Sequence, residues 1–463
     1  MSHLNRLYRA FARANIDLRY EGGVYRVRDE RAQATILLPP DLPLEEMAVR
    51  QLLAFASVRT PSGRAAVCSA CATPDFHPGT IAPVGSVVAT DLDVVIPSAI
   101  GTDINCGMRL YRTGLNLAQV ALRREALIDR LRAVLLQNER QVPVPTRAFK
   151  ALFDDGPLAF IDALKPEGLW AAVDRDMLAT DLARCIGLGG LSGHSRHAPA
   201  AFVGARETYR DPCLGTPGSG NHFVELQVVE TVLDRHAAYA AGLARDDVVV
   251  MIHSGSRDLG FHIGAQWMDR ARQAWPSGVR HPSSQLYALD GPLAGEYLEA
   301  MGIAARYAWA NRVVLGEMVK AEMQRLFGTP AWRLIVDVPH NVILTEHGRN
   351  IHRKGATPAH PGELALIPGS MGDHSYVALG LGHPQWLSSC SHGAGRRMRR
   401  QVARALPQPP ANGDWHCVTL REERLIEEAP HAYKPIGPVI DAQRDAGLIA
   451  PVARMRPWVT FKA

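Results

Sequence analysis

Asp247-Val-Val-Val-Met-Ile-His-Ser-Gly-Ser-Arg257 carries a structural signal and a chemical one side by side. Asp247 to Ile252 is an apolar, β-branched run between polar turns, which reads as a strand. It runs directly into His253, three small residues and Arg257, a combination able to cradle a phosphate. Working outward, Ala34 to Leu38, Asn221 to Val229, Arg333 to Val338 and Val342 to Glu346 also read as strands. Met47 to Ser57 predicts a short helix and Tyr297 to Phe327 a long one. Leu117 to Leu136 predicts one amphipathic helix, with Leu117, Val120, Leu127, Leu131, Val134 and Leu135 on a shared face. Arg123, Arg124, Arg130 and Arg132 lie between them; a solvated face is the commoner reading of such charges than a phosphate contact. Periodicity supports mixed α and β, with no solenoid repeat.

The chain has 463 residues, 47% apolar and 21% charged, an ordinary soluble composition with room for a sizeable core. A formal charge of +5 suits a polyanionic partner, but over this length it reads first as solubility charge. The Arg-rich N-terminus lacks the apolar stretch of a signal peptide, and no apolar run is long enough to span a bilayer. Seven scattered cysteines argue for a reducing compartment; a cytoplasmic protein is expected. Cys68 and Cys71 form a CxxC without a second pair and read as incidental.

Five segments offer metal ligands or anion-binding backbone. Asp103 and Cys106 sit three apart in Gly101-Thr-Asp-Ile-Asn-Cys-Gly-Met108, within reach of one cation across a tight turn. Gly218-Ser-Gly-Asn-His-Phe-Val-Glu225 leads a Gly-rich turn into a strand, where alternation places His222 and Val224 on one face and Phe223 on the other. His253 and His340, the latter in Asp337-Val-Pro-His-Asn341, stand at strand ends. Singly, each is more often structural; jointly they supply a mixed N/O/S metal site whose softness does not settle the metal. The fifth segment pairs Pro368-Gly-Ser-Met-Gly372 with Ser391-His-Gly-Ala-Gly-Arg396, small-residue loops suited to phosphates. There His392 reads either as a covalent nucleophile towards phosphorus or as a turn-capping residue, and Arg396 as a bidentate phosphate ligand. A P-loop and the Lys-x-Asp-Gly of lysine-adenylating ligases are both missing from the sequence.

The blocks PDFHPG (74–79), PVGSVVA (83–89), GTDINCGM (101–108), LGTPGSGNHFVEL (214–226), HSGSRDLG (253–260), YLEAMGIAARYAWANR (297–312), DVPHN (337–341), RKGAT (353–357), PGSMGDHSYV (368–377), HGAGR (392–396) and EAPHAYKPI (428–436) occur in the order found in the RtcB family of RNA ligases, which the sequence resembles from about residue 70 onward. The resemblance implies an α+β fold: a single catalytic domain with mixed sheets, a central metal and nucleotide cleft and helical insertions. It places the catalytic domain over 66–463, with 115–210 and 262–330 largely helical, after an N-terminal segment 1–65 of uncertain role. By the same resemblance Asp103, Cys106, His222, His253 and His340 correspond to ligands of two manganese ions, and His392 to the histidine that becomes guanylylated. Asn221, His222, Phe223, Val224, Glu225, His340, Asn341, Pro368, Gly369, Ser370, Met371, Ser375, His392, Gly393, Ala394 and Gly395 correspond to the GTP-binding loops, and Lys462 to a lysine that reads guanine. Asp75 and His77 match a block near the metals without an assigned role.

The reaction implied is GTP-dependent joining of RNA 2′,3′-cyclic phosphate or 3′-phosphate ends to 5′-hydroxyl ends, in RNA repair or tRNA splicing, by a monomer with no membrane; the need for an activating protein stays open. The alternatives are a metal-dependent phosphohydrolase and a non-catalytic RNA-end binding protein of the same fold. Four positions depart from the family pattern: Asn105 stands where glycine is usual, Pro358 where arginine is, Asp373-His374 where Thr-Ala is common, and Arg399 where serine is expected.

Overall fold

The structure, a computed structural model, describes residues 3–328, 331–406 and 415–463. Two large sheets organise it. One runs in the order Asp17–Glu21, Val24–Arg28, Gln33–Leu37, Val67–His77, Val84–Thr90, Arg349–Lys354, Asn341–Glu346. The other runs Arg333–Pro339, Gly107–Asn116, Asp247–Ser254, Phe223–Val232, Ile449–Lys462, Ser375–Gly380, Leu364–Pro368, with His416–Thr419 alongside Ile449–Lys462. Helices and sheets are thus mixed, as an α+β fold requires. The first three strands enter their sheet by parallel pairing of Thr35 and Ile36 with Cys71 and Ala72, so residues before 65 share a sheet and an apolar core with those after.

Every residue of Asp247–Ser254 is buried. Its uninterrupted Val-Val-Val-Met-Ile run suits a central strand covered on both faces, where alternation with polar residues would expose backbone-paired surface to nothing useful. One cover is the helix Pro292–Phe327, which starts five residues before the periodic segment because Pro292 occupies its first turn. Every side chain from Ala300 to Lys320 is buried, so this helix is a spine of the core rather than an amphipathic surface element. Close approach depends on its small residues: a Cβ added at Gly302 would lie 1.6 Å from Ser192 O.

The segment expected as one helix over Leu117–Leu136 is two, Leu117–Ala121 and Arg124–Leu136. Arg123 leaves helical geometry at φ −127°, ψ 30°. Tertiary packing explains the break: the first piece rests on the strands Gly107–Asn116 and Asp247–Ser254, the second on Pro292–Phe327 and Ile449–Lys462. Two arginines of the second piece are engaged within the fold, Arg130 with Glu322 at 3.3 Å and Arg124 over the Trp458 ring. The other expected strands and helices lie within one to three residues of their expected ends; the last two positions of 262–330 fall outside the described residues. Among the described residues no helix is long and apolar enough to cross a membrane.

Gly302→Ala tests the spine. On an exposed helix this change adds helix propensity; here the methyl meets backbone, and urea unfolding should report a loss of about 2 kcal/mol or more. A gain in stability would show that the helix does not pack at this distance.

Candidate active site

In an antiparallel sheet neighbouring strands run in opposite directions, so the start of one lies beside the end of the next. Gly107–Asn116 and Phe223–Val232 begin just after Cys106 and His222; Asp247–Ser254 ends one residue after His253, and Arg333–Pro339 ends just before His340. These four strands are consecutive neighbours, with Met108 opposite His253, Phe223 opposite His253 and Gly107 opposite Pro339. Four donors separated widely in sequence therefore meet at one edge. His340 is also the residue at which the chain passes from one large sheet to the other, since Asn341–Glu346 belongs to the second.

The donors are close. His222 Nε2 lies 3.0 Å from Asp103 Oδ2 and 3.1 Å from Cys106 Sγ, and His253 Nε2 lies 3.2 Å from both Cys106 Sγ and His340 Nε2. Metal bonds of about 2.0 to 2.3 Å set neighbouring ligands roughly 3 to 3.7 Å apart, so this spacing fits a shared cation. Hydrogen bonding agrees. In the neutral ring His222 Nδ1–H donates to Pro217 O at 3.0 Å, which leaves the Nε2 lone pair facing a carboxylate; a cation between them resolves that conflict. Cys106, His253 and His340 form one potential metal-holding group and Asp103, Cys106 and His222 another, sharing the thiol. Burial, reinforced by the neighbouring imidazoles, holds His253 and His340 well below the usual imidazole range, so both present lone pairs at neutral pH. Burial opposes the Asp103 charge, but the His222 ring, a hydrogen bond from Cys106 and the Lys354 charge together hold the carboxyl below its ordinary range. Burial, followed by Asp103, pushes the Cys106 thiol well up.

His392 follows the short strand Ser389–Ser391 and lies beside this cluster, its ring centroid 4.6 Å from that of His340. The carboxylate of Asp75, fully buried, accepts from His392 Nδ1 at 2.6 Å and from Thr73 Oγ1 at 2.7 Å. With Nδ1 engaged, Nε2 is the nitrogen left to react. Asp75 sits in an irregularity of Val67–His77, where pairing skips from Ala72 to His77. That bulge is fastened on several sides. His77 Nδ1 binds Asp75 O at 2.7 Å, and Lys434 Nζ donates to Pro74 O and Phe76 O at 3.0 and 2.6 Å. Burial drives His77 down to about 3, so it acts as a neutral brace.

A cavity of about 870 Å³ opens over both groups. Asn221, Phe223, Glu225, His340, Asn341, Pro368, Gly369, Ser370, Met371, His392, Gly393, Ala394, Gly395 and Lys462 line it, as do the donors Asp103, Cys106 and His253. Three expected binding residues stand differently. Val224 is in the apolar core, Ser375 is buried and accepts from Gln227 Nε2 at 2.9 Å, and His222 belongs to the donor cluster. The strand begins at Phe223, so His222 stands one residue before it, at the donor cluster, while Val224 lies within it. Lys462 Nζ donates to His222 O at 3.2 Å; burial lowers its pKa against the pull of Glu428. Arg396 is not a free phosphate ligand: its guanidinium donates to Met398 O, Glu428, Tyr433 and Glu427 O.

Sequence reasoning left Asp75 without a role and passed over Lys354, Glu428 and Tyr433, which also line the cavity. The PDFHPG and RKGAT blocks contained the first two, but only the fold brings them to His392 and Asp103. The departures have local accounts. Asn105 adopts φ 53°, a left-handed conformation that asparagine tolerates best after glycine, and its Nδ2 donates to Ala305 O at 2.8 Å. Asp373 Oδ1 accepts from His374 N at 2.8 Å while His374 pairs with Glu230, so the two hold the strand start at Ser375. Pro358 ends a three-residue strand, where a missing donor costs little.

The sequence of this site has relatives. The family model described as tRNA-splicing ligase RtcB matches residues 54–463. The RNA-splicing ligase RtcB of Mycobacterium tuberculosis is 37% identical over 428 residues, covering 83% of this chain and 95% of that protein. The tRNA-splicing ligases RtcB of Thermococcus kodakarensis and Archaeoglobus fulgidus are 34% and 33% identical, covering 84% and 83% of this chain and 86% and 85% of theirs. With a match this long, running through every donor and the Asp75–His392 pair, the chain belongs to the RtcB family.

Proposed function

We propose that this protein is a GTP-dependent RNA ligase joining 2′,3′-cyclic phosphate or 3′-phosphate ends to 5′-hydroxyl ends, with His392 as the covalent carrier. The observation that carries this reading is His392, locked through Nδ1 to buried Asp75 with its ring beside a Cys/His/Asp donor cluster. Its relatives are named RNA- or tRNA-splicing ligases, which supports RNA repair or splicing as the setting.

His392 Nε2 attacks the α-phosphorus of GTP; the N–P bond forms as the bond to the β-phosphate oxygen breaks and pyrophosphate leaves. Asp75 keeps the proton on Nδ1 and offsets the positive charge that grows on the ring. An oxygen of the RNA 3′-phosphate then attacks the same phosphorus, freeing His392 and leaving RNA-3′-pp-5′-G. The 5′-hydroxyl finally attacks the RNA phosphorus, loses its proton and displaces GMP. A 2′,3′-cyclic end is first opened by water to the 3′-phosphate.

Asp103, Cys106, His222, His253 and His340 would hold two divalent ions, manganese by family resemblance. Bound there, the ions supply charge neutralisation for the phosphates and the leaving groups. Asn221, Asn341, Pro368 to Met371 and Gly393 to Gly395 offer amides and backbone N–H groups to the nucleotide. Glu225 and Lys462 line the cavity with an acceptor and a donor, suited to a guanine edge.

Incubation with GTP, manganese and RNA carrying 3′-phosphate and 5′-hydroxyl ends should give joined product, and His392→Ala should give none; joining by that variant would refute the assignment. Asp75→Asn should slow protein guanylylation by about 100-fold or more, as loss of a group orienting a reactive imidazole does, while Thr73→Val should cost less. Equal rates in Asp75→Asn and wild type would remove Asp75 from the mechanism.

Cys106 enters a metal bond only as thiolate, so binding must expel its proton. Because the thiol is raised, affinity should climb with pH across the neutral range by up to about tenfold per unit. Calorimetry in buffers of different ionisation enthalpy should show release of roughly one proton in wild type and none from this position in Cys106→Ser. A pH-independent affinity would contradict thiolate ligation.

A further inference from the structure

The cavity has a wall that lies outside the family likeness. The matched region begins at residue 54, yet Glu45 and Met47, at the start of the helix Glu46–Ala56, line the same cavity as His392. That helix also holds the adjoining loop: Gln51 Nε2 donates to Gly79 O at 2.8 Å, and its Oε1 accepts from Gly79 N at 3.2 Å. The loop so fixed carries Ile81. Arg399 reaches the helix from the other side, its Nη2 3.0 Å from Met47 Sδ, and faces the Glu45 carboxyl. It is one of the four departures from the family pattern, an arginine where serine is usual.

The rim is apolar as well as basic. Phe261 is 64% exposed, Met47 46% and Ile81 41%, and all three line the cavity. Large apolar side chains left exposed along the lining of this cavity call for an occupant. An exposed aromatic face beside aliphatic side chains and a guanidinium suits single-stranded nucleic acid, whose bases stack while its phosphates pair with arginine. At about 870 Å³ the cavity is near the upper end for a single small-molecule site, which leaves room beyond one nucleotide.

We propose that Met47, Ile81, Phe261 and Arg399 form the docking surface for the single-stranded end of the RNA. The terminal base stacks on Phe261 with Ile81 and Met47 closing around it, and Arg399 binds a backbone phosphate next to the reacting end. Glu45, whose carboxyl is pushed up by burial against the pull of Lys434 and Arg399, lines the same wall. The N-terminal segment is then part of the substrate site, and Arg399 is a gain of RNA contact rather than a loss of function. This rests on the RNA-joining reading above for its choice of ligand.

Fluorescence anisotropy of a short single-stranded RNA with a 3′-phosphate, on full-length protein, tests it directly. Phe261→Ala should weaken binding about tenfold, the loss of one base–aromatic stack. Arg399→Ser should lower the slope of log affinity against log salt by about 0.7, the loss of one phosphate contact on a single strand. Both variants should melt as wild type does and take up label from α-labelled GTP at the wild-type rate, because neither touches the nucleotide. Unchanged RNA affinity and salt slope in both would overturn the proposal, as would loss of labelling alongside RNA binding. If wild type takes no label while both variants still weaken RNA binding, the ligase reading falls and the docking surface stands.

Discussion

The guanidinium of Arg312, almost wholly buried in the spine helix, ties the metal-donor loops together. It pairs with Asp337 through Nε and Nη2 at 3.0 and 2.7 Å, and its Nη1 donates to Asn105 O and Ser254 O at 2.8 and 3.0 Å. Asn105 precedes Cys106, Ser254 follows His253, and Asp337 lies three residues before His340. The adjacent Asn311 extends the same clasp, receiving Gly215 N on its oxygen and donating to Ser254 Oγ and Thr216 O. Pro217, next along, is the carbonyl that fixes the His222 ring. Removing one partner of such a buried pair typically costs about 3 to 5 kcal/mol because the other charge is stranded. Here it would also release the loops on which the donor geometry depends.

That geometry sets the electrostatics. Neutral His253 and His340, a charged Asp103 and a thiol awaiting deprotonation leave the cluster short of positive charge, which is the condition a divalent ion corrects. The nucleophile is handled differently. Asp75 gives His392 a permanent hydrogen-bond acceptor, but the bulge that carries Asp75 is braced by Lys434 and His77, so the carboxylate cannot follow the ring if it turns. A rigid orienting group suits a histidine that, in the proposed reaction, is loaded and unloaded once per turnover.

Much of this was legible in the sequence, and the rest was hidden for identifiable reasons. The buried strand Asp247–Ser254 and the long helix announced themselves through composition, because full burial selects continuous apolar runs. Of the five candidate donors, His222, His253 and His340 were legible as strand-end histidines and Asp103 and Cys106 as a tight turn, and the motif order pointed to their family. The helix break at Arg123 follows from where each half docks, which spacing along the chain does not encode. Arg396 looked like a phosphate ligand in isolation, yet Glu428 and Tyr433, more than thirty residues on, had already claimed it. Asp75 lies 317 residues from His392, and pairing at that separation is a property of the fold alone.

His392, held by Asp75 beside the donor cluster, is the proposed carrier of the guanylyl group. Tandem mass spectrometry of the protein after incubation with GTP and manganese addresses it most directly. A single guanylyl adduct located on His392 within Ser391–Arg396, and missing when manganese is withheld, is the result this structure predicts. An adduct on any other residue, or an unmodified His392 in a protein that still joins RNA, would contradict it.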